Sequence, residues 1–263
     1  MSDVVVATVA PGPSASAVLG AARRLAECTG RTVTAVHVVP AEDAHHSEAL
    51  DALAARFDVP ITVLTGPVEE ALLDRISAPD VAAAVVGARG APDGRRPLGH
   101  VALDLVQRSH RPVLVVPPHA EVGRSVAWQR VLVPLEGSAA STRAAIDALA
   151  GLAGDRLEPV VLHVYTPQTA PRMLDRPTRD LALWDDEFMV RFGPVGASIE
   201  HRSGVAAHEI ARACDGGHAD VVVLTWSQAM EPGRAAVVRE VLGRSTIPIL
   251  LLPAPEATAG AGG

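Results

Sequence analysis

Hydrophobic positions along the chain fall into two alternating kinds of run. Short β-branched stretches bounded by Gly and Pro lie near residues 4–9, 32–39, 60–65, 82–87 and 112–116. Between them run Ala/Leu-rich segments with helical spacing, such as Val18, Ala21, Ala22 and Leu25. The first kind predicts strands and the second helices. The same order returns, with strands expected near 129–134, 159–165, 197–202, 220–225 and 247–252. Strands alternating with helices imply a parallel sheet covered on both faces. The pattern therefore predicts an α/β protein built from two tandem domains, each a five-stranded parallel sheet.

Laying one half over the other makes the repeat explicit. Ser16 matches Ser141 at an offset of 125, His37 matches His163 at 126, Gly66 matches Gly204 at 138, and Pro112 matches Pro248 at 136. The first domain is expected over 1–118 and the second over 129–255, with a polar, Pro-capped linker at 119–128 and a disordered tail at 256–263. About twelve extra residues sit between the second and third strands of the second copy, in "PQTAPRMLDRPTRDLALWDDEFMVRFGP". Leu181, Leu183, Trp184, Phe188 and Met189 would form the apolar side of a helix there, expected to pack on its own sheet.

Composition narrows the function. With 48% hydrophobic but only 3% aromatic residues, the core must be Ala, Val, Leu and Ile. No apolar stretch reaches the roughly 20 residues of a membrane span, and "MSDVVVATV" lacks the features of a signal peptide, so a cytoplasmic protein without membrane contact is expected. Net charge is −7, and the basic residues are 23 scattered arginines with no lysine. That argues against nucleic acid as a partner, and it excludes the lysine-dependent phosphate loop GxxxxGK[ST]. Cys28 and Cys214 have no CxxC or metal-ligand spacing and read as buried thiols, with neither a disulfide nor a metal site.

The chemistry worth testing lies in "VVGARGAPDGRRPLGH", residues 85–100. It leaves the fourth strand at the carboxyl edge of the sheet, where open α/β sheets bind ligands. Gly87 and Gly90 let main-chain amides approach a ligand. Gly99 and His100 stand where the next helix opens its free N–H groups to an anion.

This stretch, continuing to "VALDLVQRSHRPVLVVP", resembles the closing third of a universal stress protein domain, whose nucleotide-binding members show G-x2-G-x9-G-[S/T]. The two-copy layout, with "EGSAASTRAAIDALA" and the "HV" strand ends, resembles tandem members of the family across about 250 residues. The resemblance implies two flavodoxin-like (Rossmann-like) domains of strand order 3-2-1-4-5 and, in some members, bound ATP or AMP. Carried over, Gly87, Gly90 and Gly99 would face phosphates and ribose, and Val39 would touch the adenine; Arg89 in the same loop could reach a phosphate, with His100 and Val101 at the helix start. The second glycine gap holds eight residues (91–98), His100 replaces the hydroxyl residue, and Ala10 or Pro11 stands where the family places an acid. The second copy keeps Glu136 at that acid position, followed by Gly137 and Ser138, but lacks the cradle. Thr225 replaces Gly87, Gln228 replaces Gly90, and Ala235 and Ala236 replace the last pair, with Trp226 and Glu231 adding bulk and charge.

Other residues have plainer readings. Arg95 and Arg96 suit a solvated loop, His45 and His46 a helix surface, and His37 and His163 structural roles at matching strand ends. No Ser/His/Asp set or nucleophile elbow can be assembled, so an enzyme is not expected. The last strands, in "PVLVVPP" and "PILLLPAP", are wholly apolar and need partners at their edges. Each would pair with the other, making an intramolecular pseudo-dimer, or with a second chain in a homodimer. The expected function is a non-catalytic, nucleotide-responsive stress regulator with one ATP or AMP site in the first half. The alternative is a ligand-free scaffold acting on an unknown protein partner.

Overall fold

A computed structural model describes residues 4–39, 48–88, 98–118, 120, 128–135, 145, 157–165, 190, 197–217, 219–228 and 235–253. Along the first half run β1 (Val4–Thr8), α1 (Ala15–Thr29), β2 (Thr32–Val39), α2 (Glu48–Phe57), β3 (Ile61–Thr65), α3 (Val68–Ser77), β4 (Val81–Gly87), α4 (His100–Arg108) and β5 (Val113–Val116). The second half contains β6 (Arg130–Pro134), β7 (Glu158–Tyr165), β8 (Ser198–Ser203), α5 (Ala206–Asp215), β9 (Val221–Trp226), α6 (Ala236–Arg244) and β10 (Ile249–Pro253). The helix expected around Leu181–Met189, the cluster Glu136–Ser138, Glu231 and the tail 256–263 lie outside the described residues, as do His45, His46, Arg95 and Arg96.

All ten strands form one sheet, ordered β3-β2-β1-β4-β5-β10-β9-β6-β7-β8. Within each half the order is the flavodoxin-like 3-2-1-4-5, and every pair inside a half is parallel. The halves meet where β5 and β10 pair antiparallel, Val115 with Ile249, Leu114 with Leu250 and Val113 with Leu251. Leu114 and Leu250 are equivalent at the offset of 136, so a local two-fold axis passes between them. Every residue of β5 is buried, and this pairing gives its main-chain edge the partner that its apolar sequence demands.

Side chains alternate across this sheet and build two cores. One contains Val18, Leu19, Leu25 and Leu50 from α1 and α2, together with Leu114, Val116, Leu250 and Leu252. The other contains Leu72, Ile76, Leu105, Ile210 and Val241 from α3 to α6, together with Val113, Val115, Ile249 and Leu251. Both cores run through the β5–β10 junction. Trp128, at the end of the expected linker, is buried in the first of them, and its carbonyl lies 3.8 Å from the Cys28 sulfur.

The repeat extends to hydrogen bonds. His37 donates from Nδ1 to the Val9 carbonyl (2.9 Å), and His163 donates to the Leu135 carbonyl (3.0 Å), each fixing the end of one strand to its neighbour. Gly66 and Gly204 turn with φ of 133° and 147°, in a region open mainly to glycine. Their N–H groups meet the carbonyls of Val39 and Tyr165. Ser109 and Ser245 are both buried and stitch the turn before the last strand, bonding Arg111 and Ile247. Among the described residues no helix is long and apolar enough to cross a membrane.

Candidate functional site

The chain order reverses between β1 and β4, and a cavity of about 350 Å³ opens there at the carboxyl ends of β1, β2 and β4. Such a crevice is where open α/β sheets accept ligands, and the volume suits a small molecule. Val36, Val38, Leu72 and Val86 give it an apolar wall, while Thr8, Ser14 and His37 bring polar atoms. Cys28 and Cys214 take no part. Both are buried, and burial pushes the Cys214 thiol up to about 11, so it stays protonated at neutral pH.

Three helix starts contribute to the lining: Ser14 and Ala15 at α1, Val68 at α3, and Gly99 to Ala102 at α4. The first N–H groups of a helix have no partner within it, and the peptide dipoles sum to a partial positive charge at that end. Gly99 is the N-cap of α4, its carbonyl accepts from Leu103 N–H at 2.9 Å, and among the described residues no side chain caps this end. An anion at this spot would therefore meet free main-chain donors.

Of the residues expected from sequence, the cavity brings together Ala10, Gly87, Gly99, His100 and Val101. Arg89 and Gly90 lie outside the described residues. Pro11 is exposed and does not line the cavity. Val39 is buried and its carbonyl accepts from Gly66, while Val36, His37 and Val38 of the same strand line the cavity. The helix faces supplying Ser14, Val18, Val68 and Leu72 were also missed by the sequence reading. Their signal was only the helical spacing that marks a core, and a core face and a cavity wall look alike in sequence.

Gly87 has a packing reason for its identity. A Cβ there would come within 3.2 Å of Val18 Cγ2, so the bare backbone lets α1 lie close against the strand end and shapes the cavity between them. Gly99, with φ of −68°, uses no conformation special to glycine; what it provides is a helix start without a side chain.

His100 is committed elsewhere. Its Nδ1 donates to Glu69 Oε1 at 2.8 Å, while the ring remains 85% exposed. Glu69 is held below the usual carboxylate range first by a main-chain hydrogen bond at its own helix start and then by His100. A negative charge thus stands beside the N-terminus of α4 at neutral pH. At the offset of 138 the second half has Ala207 for Glu69, and Ala236 takes the place of His100, so the pair belongs to the first half alone.

The corresponding strand end of the second half is differently furnished. Thr225 stands in place of Gly87, followed by the buried Trp226. Gln228 takes the position of Gly90 and turns its amide to the first half, where Nε2 donates to the carbonyls of Ser109 (2.7 Å) and Val106 (3.3 Å) at the end of α4.

Residues 127–253 match the model of the universal stress protein family. That match covers the second half of the chain. Solved structures extend the likeness across both halves. A functionally unknown protein from Pseudomonas aeruginosa aligns with a TM-score of 0.70 at 14% identity, over 95% of this chain and 92% of that one. A universal stress protein from Archaeoglobus fulgidus aligns with a TM-score of 0.61 at 16% identity, over 97% of this chain and all of the other. These likenesses establish the tandem fold. A search of curated proteins finds no match. Among the described residues no group of His, Cys, Asp or Glu is arranged to hold a metal ion.

Proposed function

We propose that this universal stress protein is a non-enzymatic regulator that holds one adenine nucleotide, ATP or AMP, in the cavity of its first half. The supporting observation is the convergence of three helix starts on an apolar crevice at the reversal point of the sheet. The residues present fit the ligand: Val36, Val38 and Leu72 offer a surface for a flat base, Thr8, Ser14 and His37 offer polar contacts, and the Gly99–Ala102 amides offer donors to phosphate. Bound nucleotide would supply the charge that these amides lack. In the second half, the bulk of Trp226 and the engagement of Gln228 with α4 argue for a partner or scaffold role.

Turnover is not part of the proposal. Among the described residues the titratable side chains of the lining are His37 and His100, and the Nδ1 of each is already bonded, to Val9 and to Glu69. Titration calorimetry with ATP and AMP tests the site. Saturable one-to-one heat, lost when Gly99 is replaced by a bulky residue, is the expected result; no heat with wild type removes the reading. A phosphate-release assay on the same samples should stay at background.

One observation favours a second reading, a ligand-free scaffold. Glu69 places a carboxylate next to the anion-favouring helix start, and Ala10 supplies no acid for an adenine or ribose. A protein purified without any small molecule and silent in calorimetry would select it. Placement in the cytoplasm and possible pairing of two chains belong to the same proposal, and sedimentation of the purified protein measures the second.

A further inference from the structure

Among the described residues, one side-chain contact ties the second half to the end of α4 in the first. Gln228, after β9, reaches across the β5–β10 junction and donates to the last carbonyls of α4, at 2.7 Å to Ser109 and 3.3 Å to Val106. These are among the carbonyls that a helix cannot satisfy internally. Position 90, the match of Gln228 in the repeat, is a glycine with no side chain to donate. Gln228 also adopts φ of 59°, a left-handed conformation that costs a glutamine free energy unless its surroundings hold it there.

The helix so held is the one whose other end lines the cavity. α4 spans nine residues, about 14 Å at the helical rise, and it is anchored along its length by the buried Ala102, Leu105 and Val106. We propose that Gln228 is a positioning residue for the cavity: by gripping the carboxyl end of α4 it fixes the amino end that lines the site, so that the second half sets the shape of a site it does not contain. The glycine cradle position lost in the second half thereby serves the first.

Hydrogen exchange on the full chain, without ligand, tests this directly. The variants are Gln228→Glu, which keeps the size but loses the donor, and Gln228→Gly, which loses the donor while relieving the left-handed strain. Amides of the first hydrogen-bonded turn of α4, Leu103 to Leu105, should exchange about three- to tenfold faster in both, the scale of one or two net hydrogen bonds. Amides of α3, which shares the cavity but not the tie, should be unchanged. In calorimetry, AMP affinity should fall by a similar factor in both variants. Unchanged exchange at Leu103 to Leu105 in variants with wild-type circular dichroism overturns the proposal, as does loosening that stops at Val106 to Ser109. The inference does not require a nucleotide: absence of heat with wild type would defeat the nucleotide reading, while the exchange result still decides the tie.

Discussion

At the scale of single residues, the site is governed by a few side chains that compete for the same helix start. Glu69 draws His100 away from the amides of α4 and adds negative charge beside them. Replacing Glu69 by Gln removes the charge but retains an acceptor for the imidazole, and AMP affinity should then rise about two- to fivefold, the scale of an exposed charge interaction. Calorimetry at low and high salt checks it, because the gain should shrink as ions screen the charge. Asp80 offers a separate test by acid. Its carboxylate receives both guanidinium nitrogens of Arg75, at 3.1 and 3.0 Å, and that contact holds it below its ordinary value of 3.8. A lowered folded value means that the stabilisation is present above the unfolded value and disappears as pH falls through the folded one. The difference in urea midpoint between wild type and Asp80→Asn should therefore be constant from pH 6 to 8 and vanish in strong acid.

At the scale of elements, α4 carries most of what distinguishes this protein. It presents free amides at one end, receives Gln228 at the other, and fixes itself between them with Leu105, which is fully buried. Leu105→Ala should cost about 2–5 kcal/mol, the usual range for deleting such a side chain in a core that relaxes only in part. Chemical denaturation followed by circular dichroism measures the loss. Gly87 makes the complementary point about β4 and α1. Gly87→Ala should destabilise by about 1 kcal/mol and weaken nucleotide binding together, since the added methyl pushes against Val18 at the wall of the cavity. A variant that lost stability but kept full affinity would show the wall to be insensitive to this contact.

At the scale of the whole molecule, the sheet is continuous and so is each core on its two faces. Leu114 of the first half and Leu250 of the second belong to one core, so among the described residues apolar packing runs unbroken across the junction. Thermal unfolding should accordingly give a single calorimetric transition whose van't Hoff and calorimetric enthalpies agree. Two resolved transitions would show that the halves fold as separate units despite the shared strands. Leu250→Pro should abolish the native fold outright, because proline in a strand paired on both sides removes a ladder bond at the two-fold axis.

Much of this was legible in the chain itself. Period and punctuation predict the ten strands to within a residue or two, since short β-branched runs ending at Gly or Pro have few other conformations available. The repeat offsets identify His37 with His163 and Gly66 with Gly204, whose shared geometry the fold repeats. What the sequence could not contain was distance. The family resemblance put Val39 at the adenine, and the cavity is lined by Val36 to Val38, because how far along a strand a crevice reaches depends on the helices packed around it. It read Gln228 only as a lost glycine and His100 as a weakened donor. Whether those side chains reach a partner depends on groups 122 and 31 residues away in sequence, Val106 and Glu69, which only folding sets beside them.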